Sequence, residues 1–237
     1  MGSAKKTNLR EKNISVVWHE AIAGRKAEEI TPTFVKALKH ERDCKSITYW
    51  LNNCASQNKN WCLFTVLASL VNSEDIRAEK LNLSYFETGH TFMSADFVHH
   101  GVEEQMRRQP GGNVNDYNDF CDVVRKLNQG RMEVLMMENN DFRNFRSETS
   151  ATQLKRRDRP LLADIVCCKF IRGLRKLLYK TDYRSDTFDE FDLFKKTFPL
   201  AVPTTTFRDN PRGVPECKKT EILHKLCPLM PPTRRAF

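Results

Sequence analysis

Wound at 3.6 residues per turn, the fifteen residues from Asn58 to Asn72 (Asn-Lys-Asn-Trp-Cys-Leu-Phe-Thr-Val-Leu-Ala-Ser-Leu-Val-Asn) are apolar on nearly every side. Such a helix must be buried on more than one face, so it has to cross a core. Its neighbours say what kind of core. Upstream, Lys45 to Leu51 (Lys-Ser-Ile-Thr-Tyr-Trp-Leu) is β-branched and aromatic, and downstream Leu81 to Phe86 alternates cleanly between apolar and polar. Both read as strands. Strand, buried helix and strand in succession predict an α/β layer architecture with parallel pairing.

The same periodicities place the other elements. Ile14 to Trp18 reads as a short strand, and Thr31-Pro32 as the cap and first turn of a helix reaching His40. Ala95-Asp96 opens a helix running to about Arg108, and Gln109-Pro110-Gly111-Gly112-Asn113 ends it as the best domain boundary in the chain. Further on, Tyr117 to Val124 predicts a short helix, Arg131 to Met137 and Asp164 to Phe170 predict strands, and Phe188 to Phe198 predicts a weak helix. Pro199 to Pro215 reads as irregular, with a last helix from about Glu216 to Leu226.

Two polar segments follow the strands of this pattern: Asn52 to Trp61, and Gly89-His90-Thr91-Phe92-Met93-Ser94-Ala95-Asp96. In open α/β sheets ligands collect beyond the carboxyl ends of strands, so two polar junctions there mark a candidate site. Enzymes that transfer phosphoryl groups with two divalent metals need several carboxylates, because hard Mg²⁺ prefers charged oxygens. Asp96 and Glu103, two turns apart on one helix, are the candidate metal ligands, with Mg²⁺ or Mn²⁺ as the ion if the site is active. Asn52 stands where such a site would want a third acid, and an amide oxygen carries no formal charge. Asp96 reads equally as a helix cap. His90, Asp96, His99 and His100 form an alternative set for zinc or iron. Gln57, Asn58, Lys59 and Asn60 at the start of the buried helix read either as a phosphate cradle or as a capping network.

Charge points to a partner. The net charge is +9, yet residues 1–140 hold 18 Lys and Arg against 18 Asp and Glu, so the whole excess falls in residues 141–237. A polyanion, with nucleic acid the usual candidate, fits that asymmetry. Lys59, Lys155, Arg156, Arg157, Arg159, Arg172, Lys218 and Lys219 are the candidate phosphate contacts; a solvated basic surface is the plainer reading. The eight cysteines contain no CxxC pair, which argues against a zinc ribbon and for small buried apolar residues. No apolar run approaches the roughly 20 residues of a membrane span, and the first residues lack a secretory signal's apolar stretch. An intracellular, nuclear protein without a membrane partner is expected.

Several of these motifs together resemble an uncharacterised family of transposon-derived proteins whose core is similar to an RNase H-like, DDE-type integrase domain. They are Trp18-His19-Glu20 with Gly24-Arg25; Asn53-Cys54 through Trp61; Gly89 to Asp96 with His99, His100 and Glu103; and Arg212-Gly213-Val214, Lys218-Lys219, Leu226 to Pro231 and Arg234-Arg235. The resemblance implies an RNase H-like mixed sheet with flanking helices over residues 13–109, with N-terminal strands missing, followed by a basic mixed C-terminal region over 114–237. In the family's pattern an aspartate precedes the Asn-Cys pair, and here that position is Asn52. The first acid would lie upstream of Trp18. Of three catalytic positions only Asp96 matches, which implies a catalytically impaired protein that binds nucleic acid, DNA foremost. The alternatives are an active metal-dependent nuclease or integrase using Asp96, Glu103 and Glu20, and a protein-interaction scaffold. Missing strands would leave an open sheet edge, so self-association is expected.

Overall fold

Asn60 sets the start of the buried helix: its side-chain oxygen accepts from the amide of Leu63 at 2.8 Å, an N-cap that satisfies one of the donors a helix leaves unpaired. The helix itself, α2, spans Trp61–Val71, and its residues from Leu63 to Val71 are all buried. The protein, seen in a computed structural model, is described over residues 13–41, 43–54, 57–87, 94–145, 159–194 and 206–234. It is α/β and divides into two compact units. One joins Met1–Val17, Met93–Met136 and Cys217–Phe237, and the other joins Trp18–Phe92 and Met137–Glu216. The Gln109–Asn113 turn therefore lies within the first unit, because the chain leaves each unit and returns to it.

In the second unit α1 (Ala27–His40) and α2 pack on a five-stranded sheet of β2 (Ser46–Leu51), β3 (Lys80–Tyr85), β5 (Cys167–Ile171), β6 (Lys176–Lys180) and β7 (Asp189–Asp192), in that spatial order. β2 and β3 are parallel, as a strand–helix–strand crossover requires, and the remaining pairs are antiparallel. Among the described residues β2 pairs with β3 alone. Side chains alternate across each strand. Leu81, Leu83 and Tyr85 of β3, Cys168 and Phe170 of β5, Leu177 of β6 and Phe191 of β7 all point to the helices and close one core with Leu38, Leu63, Phe64, Leu67 and Leu70. Aromatic rings knit its far end, with Trp61 lying 5.7 Å from both Phe64 and Phe191.

Two sequence expectations change here. The helix expected over Phe188 to Phe198 is, in its described part, the strand β7, because pairing with β6 turns Phe191 inward while Glu190 and Asp192 face outward. Lys176–Lys180 forms a strand that no expectation covered. α1 also starts four residues before Thr31, which leaves Pro32 inside the helix. The helix is opened instead by Glu29, whose carboxylate accepts from the amides of Gly24 at 2.8 Å and Lys26 at 3.0 Å.

The first unit holds α3 (Ser94–Arg107), α4 (Tyr117–Arg125) and a parallel pair made by β1 (Asn13–Val17) and β4 (Met132–Met136), with Asn13 opposite Met132 and Val17 opposite Met136. Its core is small. Val124, Leu127 and Met132 pack with Val98, Val102, Phe120 and Val134. Asp116 caps α4 by accepting from Asp119 at 2.8 Å, and the Tyr117 hydroxyl donates to the Val17 carbonyl at 2.9 Å, tying α4 to β1. The expected last helix is α5 (Glu216–Glu221), continued by one wider turn over Ile222–Leu226. No helix among the described residues is long and apolar enough to cross a membrane.

Candidate nucleic-acid interface

The described residues after β2 are joined to one another by hydrogen bonds. The Asn58 amide donates to the side-chain oxygen of Asn52, the backbone of Asn58 donates to Cys54 at 2.9 Å, and the Asn60 amide donates to Gln57 at 2.8 Å. Lys59 points the other way. It is fully buried, donates to the carbonyl of Ala163 at 3.1 Å, and lies 4.7 Å from the centre of the Tyr85 ring, whose hydroxyl donates back to the Asn58 carbonyl at 2.9 Å. Burial depresses the Lys59 pKa, against the opposing pull of Cys168 and Asp164. Its ammonium thus closes the core beneath the junction, and the capping reading of this segment describes its bonding.

Arg172 is engaged in the same manner. Its guanidinium donates to the carbonyls of Ser73 at 2.9 Å, Ile76 at 2.6 Å and Ala78 at 3.2 Å, clasping the connection between α2 and β3. Arg159 stacks over Trp61, 5.1 Å from its ring. Lys218 and Lys219 are exposed on α5. Lys155, Arg156 and Arg157 lie outside the described residues, as does His90.

Asn52 belongs to the second unit, Asp96 and Glu103 to the first. On α3 the residues Val98 and Val102 face the core, while Asp96, His99, His100 and Glu103 are exposed on the opposite flank. Seven helical residues separate Asp96 from Glu103, a rise of about 10 Å. Glu103 lies 4.0 Å from Arg107, and Glu104 lies 3.5 Å from Arg108. Among the described residues no group of three or more His, Cys, Asp or Glu is placed to hold a metal ion.

Other resemblance motifs are drawn together in the second unit. The Trp18 indole donates to the carbonyl of Gly24 at 3.1 Å, and Arg208 reaches the Glu29 carboxylate at 3.3 Å. The backbone amides of Arg212 and Gly213 donate to Ile22 and Ala21 at 3.1 and 2.8 Å. Burial opposes ionisation of Glu29, but the Gly24 and Lys26 amides and the Arg208 guanidinium outweigh it and hold the carboxyl below its usual range. This is a structural knot.

The basic surface that the structure does assemble was not legible as a motif. The helices α1 and α2 pack on one face of the five-stranded sheet, through contacts such as the edge-on pair of Phe34 and Tyr49 at 5.4 Å. On the other face the strand register aligns Trp50, Ser84, Cys167 and Lys180 in one cross-strand row, and Thr48, Asn82, Lys169, Leu178 and Glu190 in the next. Lys80 stands diagonal to Lys169, which stands diagonal to Lys180. The ammonium groups of Lys169 and Lys180 lie 3.9 and 4.6 Å from the centre of one ring, Phe188. Lys180 also donates to the carbonyl of Ser185. Among the described residues none of the three has a carboxylate partner, whereas Lys176 on the outer strand is paired with Glu190. Partial burial lowers the Lys169 pKa, and Lys80 and then Lys180 depress it further, partly offset by Cys167. Like charges left adjacent without a counterion make a surface that gains by binding an anion. No family model, curated protein or solved structure matches this chain.

Proposed function

We propose that this chain is a nucleic-acid-binding protein of the transposase-derived, RNase H-like kind, with an impaired metal site, and that it holds phosphates on the face of its five-stranded sheet opposite α1 and α2. The observation that carries this reading is the Lys80, Lys169 and Lys180 cluster on adjacent strands without a carboxylate partner among the described residues. Each lysine that meets a phosphate releases condensed counterions, a gain indifferent to base sequence. Thr48, Asn82 and Ser84 line the same face with hydroxyl and amide groups that suit sugar and phosphate oxygens. The parallel β2–α2–β3 unit with Asn52 just beyond β2 supports the RNase H-like reading. An uncharged amide at that position supports binding over cleavage.

The test is the salt dependence of DNA binding by the whole chain. Log K should fall steeply with log salt, and replacing Lys80, Lys169 and Lys180 together by Gln should make that slope shallower by about 2 to 3. A flat dependence, or no binding at low salt, would overturn the reading. Loss of binding from Lys218→Gln with Lys219→Gln, and none from the sheet lysines, would overturn the choice of surface. Metal-dependent plasmid nicking abolished by Asp96→Ala would overturn the impaired site and leave an active nuclease.

A further inference from the structure

The geometry points to single-stranded nucleic acid as the ligand of the sheet face opposite α1 and α2, with an unpaired base stacked on Trp50; this rests on the nucleic-acid reading above and narrows it. Trp50 is 56% exposed, a large fraction for the residue with most apolar surface to hide. Its ring is held in place. Phe86 packs against it with ring centres 5.4 Å apart and a tilt of 40°, so one face of the indole is braced while the side chain stays accessible. Phe86 follows β3 on the even-numbered side of the strand, the side that carries Ser84 and Asn82, and its amide donates to the Leu51 carbonyl at 2.9 Å.

Position along the sheet supplies the rest. Trp50 and Lys180 share a cross-strand row three strand spacings long, about 14 Å, with Ser84 and Cys167 between them. Lys180 ends that row, Lys169 on β5 lies one row away and Lys80 on β3 two rows away, so the aromatic shelf and the ammonium groups give a polynucleotide separate places for a base and for its phosphates. Stacking platforms beside a positive surface are how single strands are held without sequence preference. A duplex offers the lysines its phosphates but keeps its base faces inside the stack, so it has nothing to lay on Trp50. Cys167, partly exposed in the middle of this row and 3.8 Å from the Ser84 hydroxyl, would be covered by a strand crossing the face.

Fluorescence anisotropy with the full chain, a labelled oligothymidine and a labelled hairpin duplex of equal charge tests the assignment. The single strand is expected to bind more tightly. Trp50→Ala should weaken it about 10-fold while leaving the duplex unchanged, and Trp50→Phe should retain most of the affinity. Alkylation of Cys167 in the unmodified sequence, read by peptide mass, should be slowed by the oligothymidine and restored at high salt; this readout does not depend on any variant folding. Equal affinity for the two ligands, or unprotected Cys167 under saturating oligothymidine, would overturn the stacking proposal and leave nucleic-acid binding in place. Failure to bind either ligand at low salt would remove the underlying reading itself.

Discussion

The ammonium of Lys59 lies 4.7 Å above the ring of Tyr85, and the Tyr85 hydroxyl returns to the carbonyl of Asn58, so the lysine is sealed beneath the very turn that precedes it. Burial and a single described carbonyl acceptor make Lys59 a packing group of the core. Lys59→Ala should cost about 2–4 kcal/mol by leaving a cavity. Lys59→Met keeps the stem, removes a charge that is costly to bury and should cost much less. Neither should change DNA affinity while the protein is folded. Urea denaturation alongside binding checks this, and a folded Lys59→Met that loses its salt-dependent binding would return the lysine to the phosphate-contact set.

Glu29 ties acid stability to the knot around Gly24. Its carboxylate accepts from two backbone amides and meets Arg208 at 3.3 Å, which holds its folded pKa below the ordinary 4.5. A carboxyl depressed on folding adds stability above the unfolded pKa and loses it as pH falls through the folded value. Glu29→Gln should therefore cost about 1–3 kcal/mol at pH 7. The gap between the two proteins should narrow once pH drops below about 4.5 and vanish in stronger acid. Urea midpoints measured from pH 7 downward show the convergence; a gap that is constant with pH would mean that the charge of Glu29 plays no part.

How far the sequence carried these conclusions depends on the range of the interactions. β2, α2 and β3 are legible because each is specified by its own period and sits within forty residues of the others. β6 and β7 are not, since Lys-Leu-Leu-Tyr-Lys and Asp-Glu-Phe-Asp acquire their strand character only from pairing with β5, itself placed beside β3 by contacts across some ninety residues. Phe188, Phe191 and Phe194 mimic a helical stripe, yet pairing turns Phe191 inward as a strand residue. The lysine cluster inherits that opacity: Lys80 and Lys169 are neighbours only through register. Lys59 shows the reverse error of residue type, a basic side chain at a helix start whose burial no local pattern announces.

Arg172 makes a sharper test of residue type against placement. Its fork spans the carbonyls of Ser73, Ile76 and Ala78, which no other described side chain of the β5–β6 turn reaches in its place. Arg172→Gln should lower stability by about 2–3 kcal/mol, and Arg172→Lys should recover little, because a single ammonium lacks the planar fork that meets three acceptors. DNA binding below the melting range should be unaffected. A loss of affinity in the folded Arg172→Lys protein would instead place the guanidinium at the interface.

The turn between α4 and β4 isolates backbone strain from every other effect. Asn128, Gln129 and Gly130 follow one another with φ of 50°, 58° and 76°, three successive residues in the left-handed region. Gly130 has open space where a Cβ would stand, so Gly130→Ala introduces no clash and its cost is conformational alone. That cost should be about 1 kcal/mol, the penalty an L side chain meets at positive φ. Gln129 already bears it, so Gln129→Gly should stabilise the protein or leave it unchanged, the relief at positive φ offsetting the entropy that glycine adds to the unfolded chain. Only Gly130→Ala is thus expected to destabilise, although the two positions are adjacent. Thermal melts of both variants decide the matter: destabilisation of more than about 1 kcal/mol by Gln129→Gly would show that the glutamine side chain holds the turn, through its contact with Arg131 at 3.5 Å, and not merely that it occupies a strained position.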